Sequence, residues 1–413
     1  MLKSVFLIIF FVLNLIFFVG GSQALDAGQP GALFSYGADA RSFAMGRTYV
    51  TNSKDASSVY RNPACLVDVP KMSFLFMSAS MFQAYSYSVL SFVYPGLYET
   101  YGGGLINLSD SVGFIKTDKD NNNIGSFNDK SSALCLGYAK QFDHKLSYGI
   151  GFKMFNRELD VSSDSFFVFD LGLNYKILDK MTIGAVLNNI YVMNNAPSMT
   201  ADTIPMVWRG GISYADNDWI IAYDITDSFD QWYLGAEYKL LDMLYLRSGI
   251  NYNELTFGLG IEYLMFKFDL ALGKQETIGD TMKFSMVLNF GDDKKEVIKK
   301  ECDKLILEGS MYQERGFYNL SRQSYSSAGT IAELTAEIKE QIEKLDNILK
   351  LKTYSLADEK QAWEHIQKAR ELLKADRVMD AYNEAKTAEK YMPANRSIME
   401  LLKFIENSLE NQY

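Results

Sequence analysis

The chain has 413 residues, with 41 Lys and Arg against 51 Asp and Glu (net charge −10), 14% aromatic and 22% charged residues. That length suits two or three domains, and the composition excludes a disordered chain, a basic nucleic-acid binder and an anionic-surface binder. Three scattered cysteines (Cys65, Cys135, Cys302) form neither a disulfide framework nor a CxxC metal site, and two histidines (His144, His365) leave metal or triad chemistry short of ligands and bases.

In chain order, residues 1–24 read as a secretory signal peptide. Lys3 is the charged start, Val5 to Val19 is apolar apart from Asn14, and Ser22 and Ala24 stand at −3 and −1 of a small-x-small cleavage site. Leu25 is then the first mature residue. The competing reading is a membrane anchor, because the apolar run nears the shortest spanning length.

Residues 25–70 show no strand-like alternation. They carry Tyr36-Gly37-Ala38-Asp39-Ala40-Arg41-Ser42-Phe43-Ala44-Met45-Gly46-Arg47 and, further on, Asn62-Pro63-Ala64. Gly37 and Gly46 permit tight bends, Asp55 and Ser57 can cap, and Asn62 before Pro63 makes a rigid turn.

Residues 71–291 alternate with period two. Phe257, Leu259, Ile261 and Tyr263 share one face, and Thr256, Gly258, Gly260 and Glu262 the other. The segments 170–177, 234–239 and 281–290 repeat this. Charges fall in phase with glycine: Lys153, Lys176, Arg209, Glu237, Arg247, Glu262 and Lys283. A soluble sandwich and a membrane barrel both alternate, with opposite faces inward. Secretion, many serial strands, aromatics near strand ends and short turns (178–180, 216–218) favour an all-β transmembrane barrel of about 14 antiparallel strands. The seven charges then face the lumen. The glycine clusters at 102–104, 149–151 and 258–260 do not open helices, so they read as lumen-side or bend glycines, not phosphate loops. Asp118 to Asn123 lacks the glycine and closing Glu of a calcium loop. His144 reads as a turn residue.

A second composition begins at 292. Residues 292–413 hold 43 charged residues (about 35%), 10 aromatics and 3 glycines; the first 291 hold 49 charged residues, 47 aromatics and 26 glycines. The period turns helical. Gly309, Tyr312, Gly316, Tyr318, Tyr325 and Ala328, then Ala369, Ala381, Ala388 and Pro393, fall on a 34-residue tetratricopeptide-like spacing, with Ser321 where an alanine is usual. An amphipathic helix is predicted over 331–352, and Ser397 as the cap of a last helix ending near Glu410.

The 36–47 run with Asn62-Pro63-Ala64 resembles the N-terminal hatch of FadL-like outer-membrane transporters, and is closer still to the PorV/PorQ-type branch. Asp170-Leu171-Gly172-Leu173, Asn188-Asn189, Pro205 with Arg209-Gly210-Gly211, and Leu246-Arg247-Ser248-Gly249 follow in that family's order. Cys65 departs from the pattern. The resemblance implies a hatch (25–70) folded into the lumen of a barrel (71–291), with Gly37, Arg41, Met45, Gly46, Asn62, Pro63 and Ala64 as hatch or gating residues. It assigns no ligand-pocket residues and no cofactor. It implies a non-enzymatic protein of the outer membrane of a diderm bacterium, in contact with membrane lipid. That protein captures a small hydrophobic compound such as a fatty acid in an apolar outer pocket and passes it by a shift of the hatch. The alternative is an interaction protein of the PorV kind, binding exported or envelope proteins through its loops or helices. An even strand count puts the helical domain (292–413) in the periplasm, where it has a protein partner under that alternative.

Overall fold

The computed structural model describes residues 31–81, 85–111, 113–143, 145–160, 162–194, 204–227, 229–274, 280–350, 354–393 and 395–410. The signal-peptide reading and that of His144 lie outside the described residues. The chain divides into two compact units, 1–294 and 295–413.

In the first unit the strands in chain order are β1 (Met72–Met81), β2 (Tyr85–Pro95), β3 (Glu99–Asp110), β4 (Phe114–Thr117), β5 (Asn123–Phe127), β6 (Asp129–Gln141), β7 (Leu146–Leu159), β8 (Ser162–Leu178), β9 (Met181–Asn194), β10 (Val207–Ala215), β11 (Trp219–Thr226), β12 (Trp232–Leu241), β13 (Leu244–Asn251), β14 (Leu255–Tyr263), β15 (Phe266–Lys274) and β16 (Thr281–Phe290). All but β4 and β5 form one closed antiparallel barrel of 14 strands. Its seam joins β1 to β16, with Met72 opposite Phe290 and Ser80 opposite Met282. Closure leaves no unpaired edge, as a spanning sheet requires.

The alternation assigns the faces. Phe257, Leu259 and Ile261 of β14 and Leu270 and Leu272 of β15 point outward and stay 40–52% exposed, whereas Thr256, Asp269 and Ala271 point inward and are buried. An outer surface this apolar matches hydrocarbon rather than water. Among the described residues, no helix is long and apolar enough to cross a membrane.

At the end where the chain enters β1 and leaves β16, turns such as 179–180 and 264–265 are tight. The opposite end, called the loop end below, carries the longer connections 111–128 and 195–206. The hairpin β4–β5 belongs to the first of these and was not anticipated from sequence. Its turn is the Asp118–Asn122 stretch, where the Asp118 carboxylate accepts from the backbone N–H groups of Asp120 (2.9 Å) and Asn122 (2.8 Å). That carboxylate serves the turn's own backbone.

Two short helices of the first unit, α1 (Ala32–Ser35) and α2 (Ala40–Ala44), precede its strands. The second unit is helical and comprises α3 (Lys294–Glu314) from residue 295 onward, α4 (Tyr318–Ile331), α5 (Ala336–Leu349), α6 (Leu356–Lys374), α7 (Val378–Tyr391) and α8 (Arg396–Glu410). Small residues sit where helices meet. A Cβ on Gly309 would lie 2.6 Å from the Tyr325 ring, and Ala369, Ala381 and Ala388 are fully buried. Ser321, also buried, donates its hydroxyl to the Gly309 carbonyl at 2.7 Å, so a polar side chain is accommodated in the helix contact. Tyr312 and Phe317 meet Trp363 edge-on at 4.9 and 5.3 Å.

Two helix boundaries differ from the sequence reading. Ile331 ends α4, and α5 starts only at Ala336, because the Thr335 side chain caps it by accepting from the Ile338 N–H. Asn395, not Ser397, caps α8: its Oδ1 accepts from the Ile398 N–H at 3.2 Å.

Candidate functional site

The segment 31–70 lies inside the barrel and is almost wholly buried from Ala38 to Val67. It is built from α1, α2 and two 3-10 turns, Ala56–Tyr60 and Pro63–Asp68. Three of these starts are capped from within the segment: Asp39 accepts from the Ser42 N–H (3.2 Å), Asp55 from Ser57 (2.9 Å) and Asn62 from Ala64 (3.0 Å). Pro63 stands at the first helical position, where its missing N–H costs nothing. Gly37 (φ 86°) and Gly46 (φ 65°) hold the left-handed conformation that lets the chain turn between these pieces.

Buried polar groups need partners, and on one side of the lumen they find charged ones. Arg41 grips Glu237 of β12 with two hydrogen bonds, Nε–Oε2 at 2.8 Å and Nη2–Oε1 at 3.0 Å, and donates Nη1 to the Asn52 carbonyl at 2.9 Å. Glu237 also takes Arg247 Nε at 2.6 Å, and Arg247 Nη1 reaches Asp269 at 2.7 Å. Arg209 pairs with Asp224 (3.0 Å), donates to the Arg47 carbonyl (2.6 Å) and lies between the rings of Tyr49 and Tyr233, 4.1 and 3.6 Å from their centroids. Asp224 in turn accepts from the Tyr49 and Val50 N–H groups at 2.8 and 3.2 Å.

Arg61 pairs with Asp39 at 2.9 Å. Burial pushes the Asp39 carboxyl up, but Arg61, the Ser42 hydrogen bonds and Arg41 outweigh it and hold the group below the ordinary carboxylate range. Lys153 pairs with Asp170 at 2.5 Å, and Lys283 donates to the Tyr36 carbonyl beside the face of Phe43. Lys176 meets Asp68 at 3.2 Å near the barrel rim, and Glu262 meets Tyr245 and Lys267 instead of the inner segment.

The other side of the lumen is not polar. Leu75, Met77, Val89, Val93 and Ile106 of β1–β3 point inward and pack with Val59, Tyr60 and Leu66 of the inner segment as one apolar core. Cys65 is fully buried beside Val50 and Asn174. Its Sγ lies 3.2 Å from the Val50 carbonyl, and burial together with Asp68 raises its pKa to about 12, so it stays a protonated thiol.

Inward-facing glycines trace the course of the segment along the wall. A Cβ at Gly149 would strike Pro63 and Ala64, at Gly172 Asn62, at Gly235 Met45, at Gly249 Gly46, and at Gly258 Ala44. At Gly149, Gly235 and Gly249 backbone therefore lies directly on backbone, which a larger side chain would prevent. The inward glycines of the sequence thus meet Met45, Gly46, Asn62, Pro63 and Ala64, while Gly37 lies beside Arg61 and Lys283. The sequence reading missed the wall carboxylates Asp170, Asp224, Glu254 and Asp269. Their signal was present: each is an acid on the inward phase of its strand or at a strand end.

Toward the loop end, the segment leaves a chamber of about 160 Å³ against the wall. Phe34, Tyr49, Tyr60 and Arg61 bound it from the segment, and Tyr87, Lys153, Asn189, Arg209, Tyr233 and Tyr252 from the wall. An outer apolar pocket was expected; this lining mixes rings with cations and amides.

No family model matches the sequence, and no curated protein matches it. Among solved structures, the chain is similar to the Pseudomonas putida toluene transporter TodX (17% identity, 61% of this chain and 96% of that chain, TM-score 0.45). It is also similar to the Ralstonia pickettii toluene transporter TbuX (14%, 62% and 99%, TM-score 0.44) and to a Pseudomonas aeruginosa FadL homologue (11%, 62% and 98%, TM-score 0.42).

Proposed function

We propose that the protein is an outer-membrane barrel of the FadL kind that holds or passes small compounds with a hydrophobic part. The observation that carries this reading is the chamber between inner segment and wall, bordered by aromatic rings. Under it the segment 31–70 is the hatch, Gly37, Arg41, Met45, Gly46, Asn62, Pro63 and Ala64 fix its seat, and the inward charges of the wall anchor it. The tight-turn end faces the periplasm, and so does the domain from 292 onward, a pair of tetratricopeptide-like hairpins.

The test is uptake of labelled toluene, decanoate and benzoate by cells of a diderm bacterium with and without the full chain. Faster entry of any of them supports the reading; entry unchanged for all three overturns it. A second reading, an envelope interaction protein of the PorV/PorQ type, is favoured by one observation. The helical unit keeps Leu307, Met379, Met399 and Phe404 exposed, and uptake alone has no use for them. Co-purification of a stoichiometric envelope protein that is lost on deleting 295–413 is its test.

A further inference from the structure

We propose that the chamber binds one small organic anion, a carboxylate on a body of about one ring. The inference rests on the reading that the chamber holds a guest, and it names the guest's chemistry.

Size comes first. A cavity of about 160 Å³ compares with the ~150 Å³ engineered cavity that takes benzene, and falls below the 300–1,000 Å³ typical of drug-sized ligand sites. A long acyl chain does not fit within it.

Polarity comes next. A dry hydrocarbon guest needs an apolar lining, and here Arg47, Arg61, Arg209, Lys153, Asn188 and Asn189 all border the space. Seating a bare hydrocarbon would strip water from these groups without replacing its hydrogen bonds.

The sign of charge then decides. The lining presents four cations and one carboxylate, Asp227. The acids that pair with the cations (Glu254, Asp39, Asp224 and Asp170) are absent from the lining, so they stand behind the cations and not in the chamber. The chamber therefore meets the cationic ends of these pairs first, and an anion accepts hydrogen bonds from the guanidinium and ammonium donors that border it. Shape favours a flat body. Arg61 and Arg209 both lie against the Tyr49 ring, at 5.0 and 4.1 Å, and Tyr60, Tyr87 and Phe34 offer further ring surface.

The experiment is equilibrium dialysis of the full-length protein in lipid nanodiscs against labelled benzoate and its uncharged isostere benzamide. Benzoate bound at least tenfold more tightly than benzamide, and not displaced by hexadecanoate, is the expected result. Arg209→Gln and Arg61→Gln should each abolish the preference, while the comparison of ligands on the unaltered chain stands even if a variant fails to fold. Equal binding of the two, absence of benzoate binding, or its displacement by hexadecanoate overturns the inference. Failure here is separable from failure of the transport reading. Toluene uptake that persists in a protein unable to bind benzoate sinks the anion site alone; benzoate bound by a protein that speeds no uptake supports the site and sinks transport.

Discussion

Arg41 and Glu237, 196 positions apart in the chain, meet through two near-parallel hydrogen bonds of 2.8 and 3.0 Å inside the barrel. The fork of a guanidinium matches a carboxylate in this way, and both groups are almost fully buried. Glu237 also holds Arg247, which in turn pairs with Asp269, so two carboxylates and two guanidiniums form one buried network.

Removing that carboxylate leaves two buried cations short of a partner. Glu237→Gln should destabilise the barrel by about 3–5 kcal/mol, as breaking a buried pair from one side does. Urea unfolding in lipid vesicles measures it. Arg41→Met combined with Glu237→Met should cost less than the sum of the two single changes, since neither charge is then stranded.

An inward glycine and an outward one give a paired test. Gly249→Ala drives a methyl into the backbone of Met45 and Gly46, whereas the same change at Gly103, whose Cβ would meet only Leu136 and Cys135 at 3.6 Å or more, has room. Overpacking of this kind costs about 1–3 kcal/mol. Planar-bilayer conductance should rise for Gly249→Ala as the segment loosens and stay at the wild-type level for Gly103→Ala.

Asn62 works in two directions: its Oδ1 caps Ala64 and its Nδ2 donates to the Val50 carbonyl at 2.6 Å. Asn62→Ala with Pro63→Ala removes both links and the pre-set turn, a loss of about 1–2 kcal/mol for the cap alone. Hydrogen exchange at residues 50–68 should accelerate at least tenfold and solute flux should change. Unchanged values for both would remove these residues from any gating role.

Lys294 carries a pH-dependent prediction. It is buried just beyond β16, where its Nζ donates to the Val67 carbonyl (3.3 Å) and the Thr100 hydroxyl (3.2 Å), and its N–H donates to the Pro70 carbonyl. Burial pushes its pKa below the ordinary lysine value. The unfolded chain therefore binds more protons than the folded one between that lowered value and about 10.4, and stability rises with pH across this window. Lys294→Met lacks the effect, so the wild type should gain stability relative to it as the pH is raised from 7 toward 10.

In the helical unit, Phe317 offers α4 no side-chain cap, and Glu359 of α6 supplies one instead by accepting from the Leu320 N–H and Asn319 Nδ2, both at 3.0 Å. Glu359→Ala should loosen the first turn of α4 by about 1–3 kcal/mol, read as faster hydrogen exchange at 318–321 with β-strand exchange unchanged.

The period-two pattern in β14 and β16 made the barrel legible, because lipid on one side and a packed lumen on the other impose opposite chemistry on successive residues. The apolar half of the lumen was not legible. Leu75 and Met77 face inward on the phase that β14 reserves for glycine and threonine, and alternation cannot say which apolar face meets lipid. Arg41 was legible as one of the charges of the 36–47 run, but its partner is set by closure of the sheet and by no local signal. Thr335 was overlooked as a helix start because Leu334 fits the apolar stripe of α5 while lying outside it.

The inner segment precedes every strand in the chain, yet its backbone rests on glycines of β12 to β14, among the last strands to be made. With no space for even a methyl group at Gly235 or Gly249, the closest approaches of segment to wall are set by missing side chains, so the path of the segment is recorded in the sequence of the wall itself.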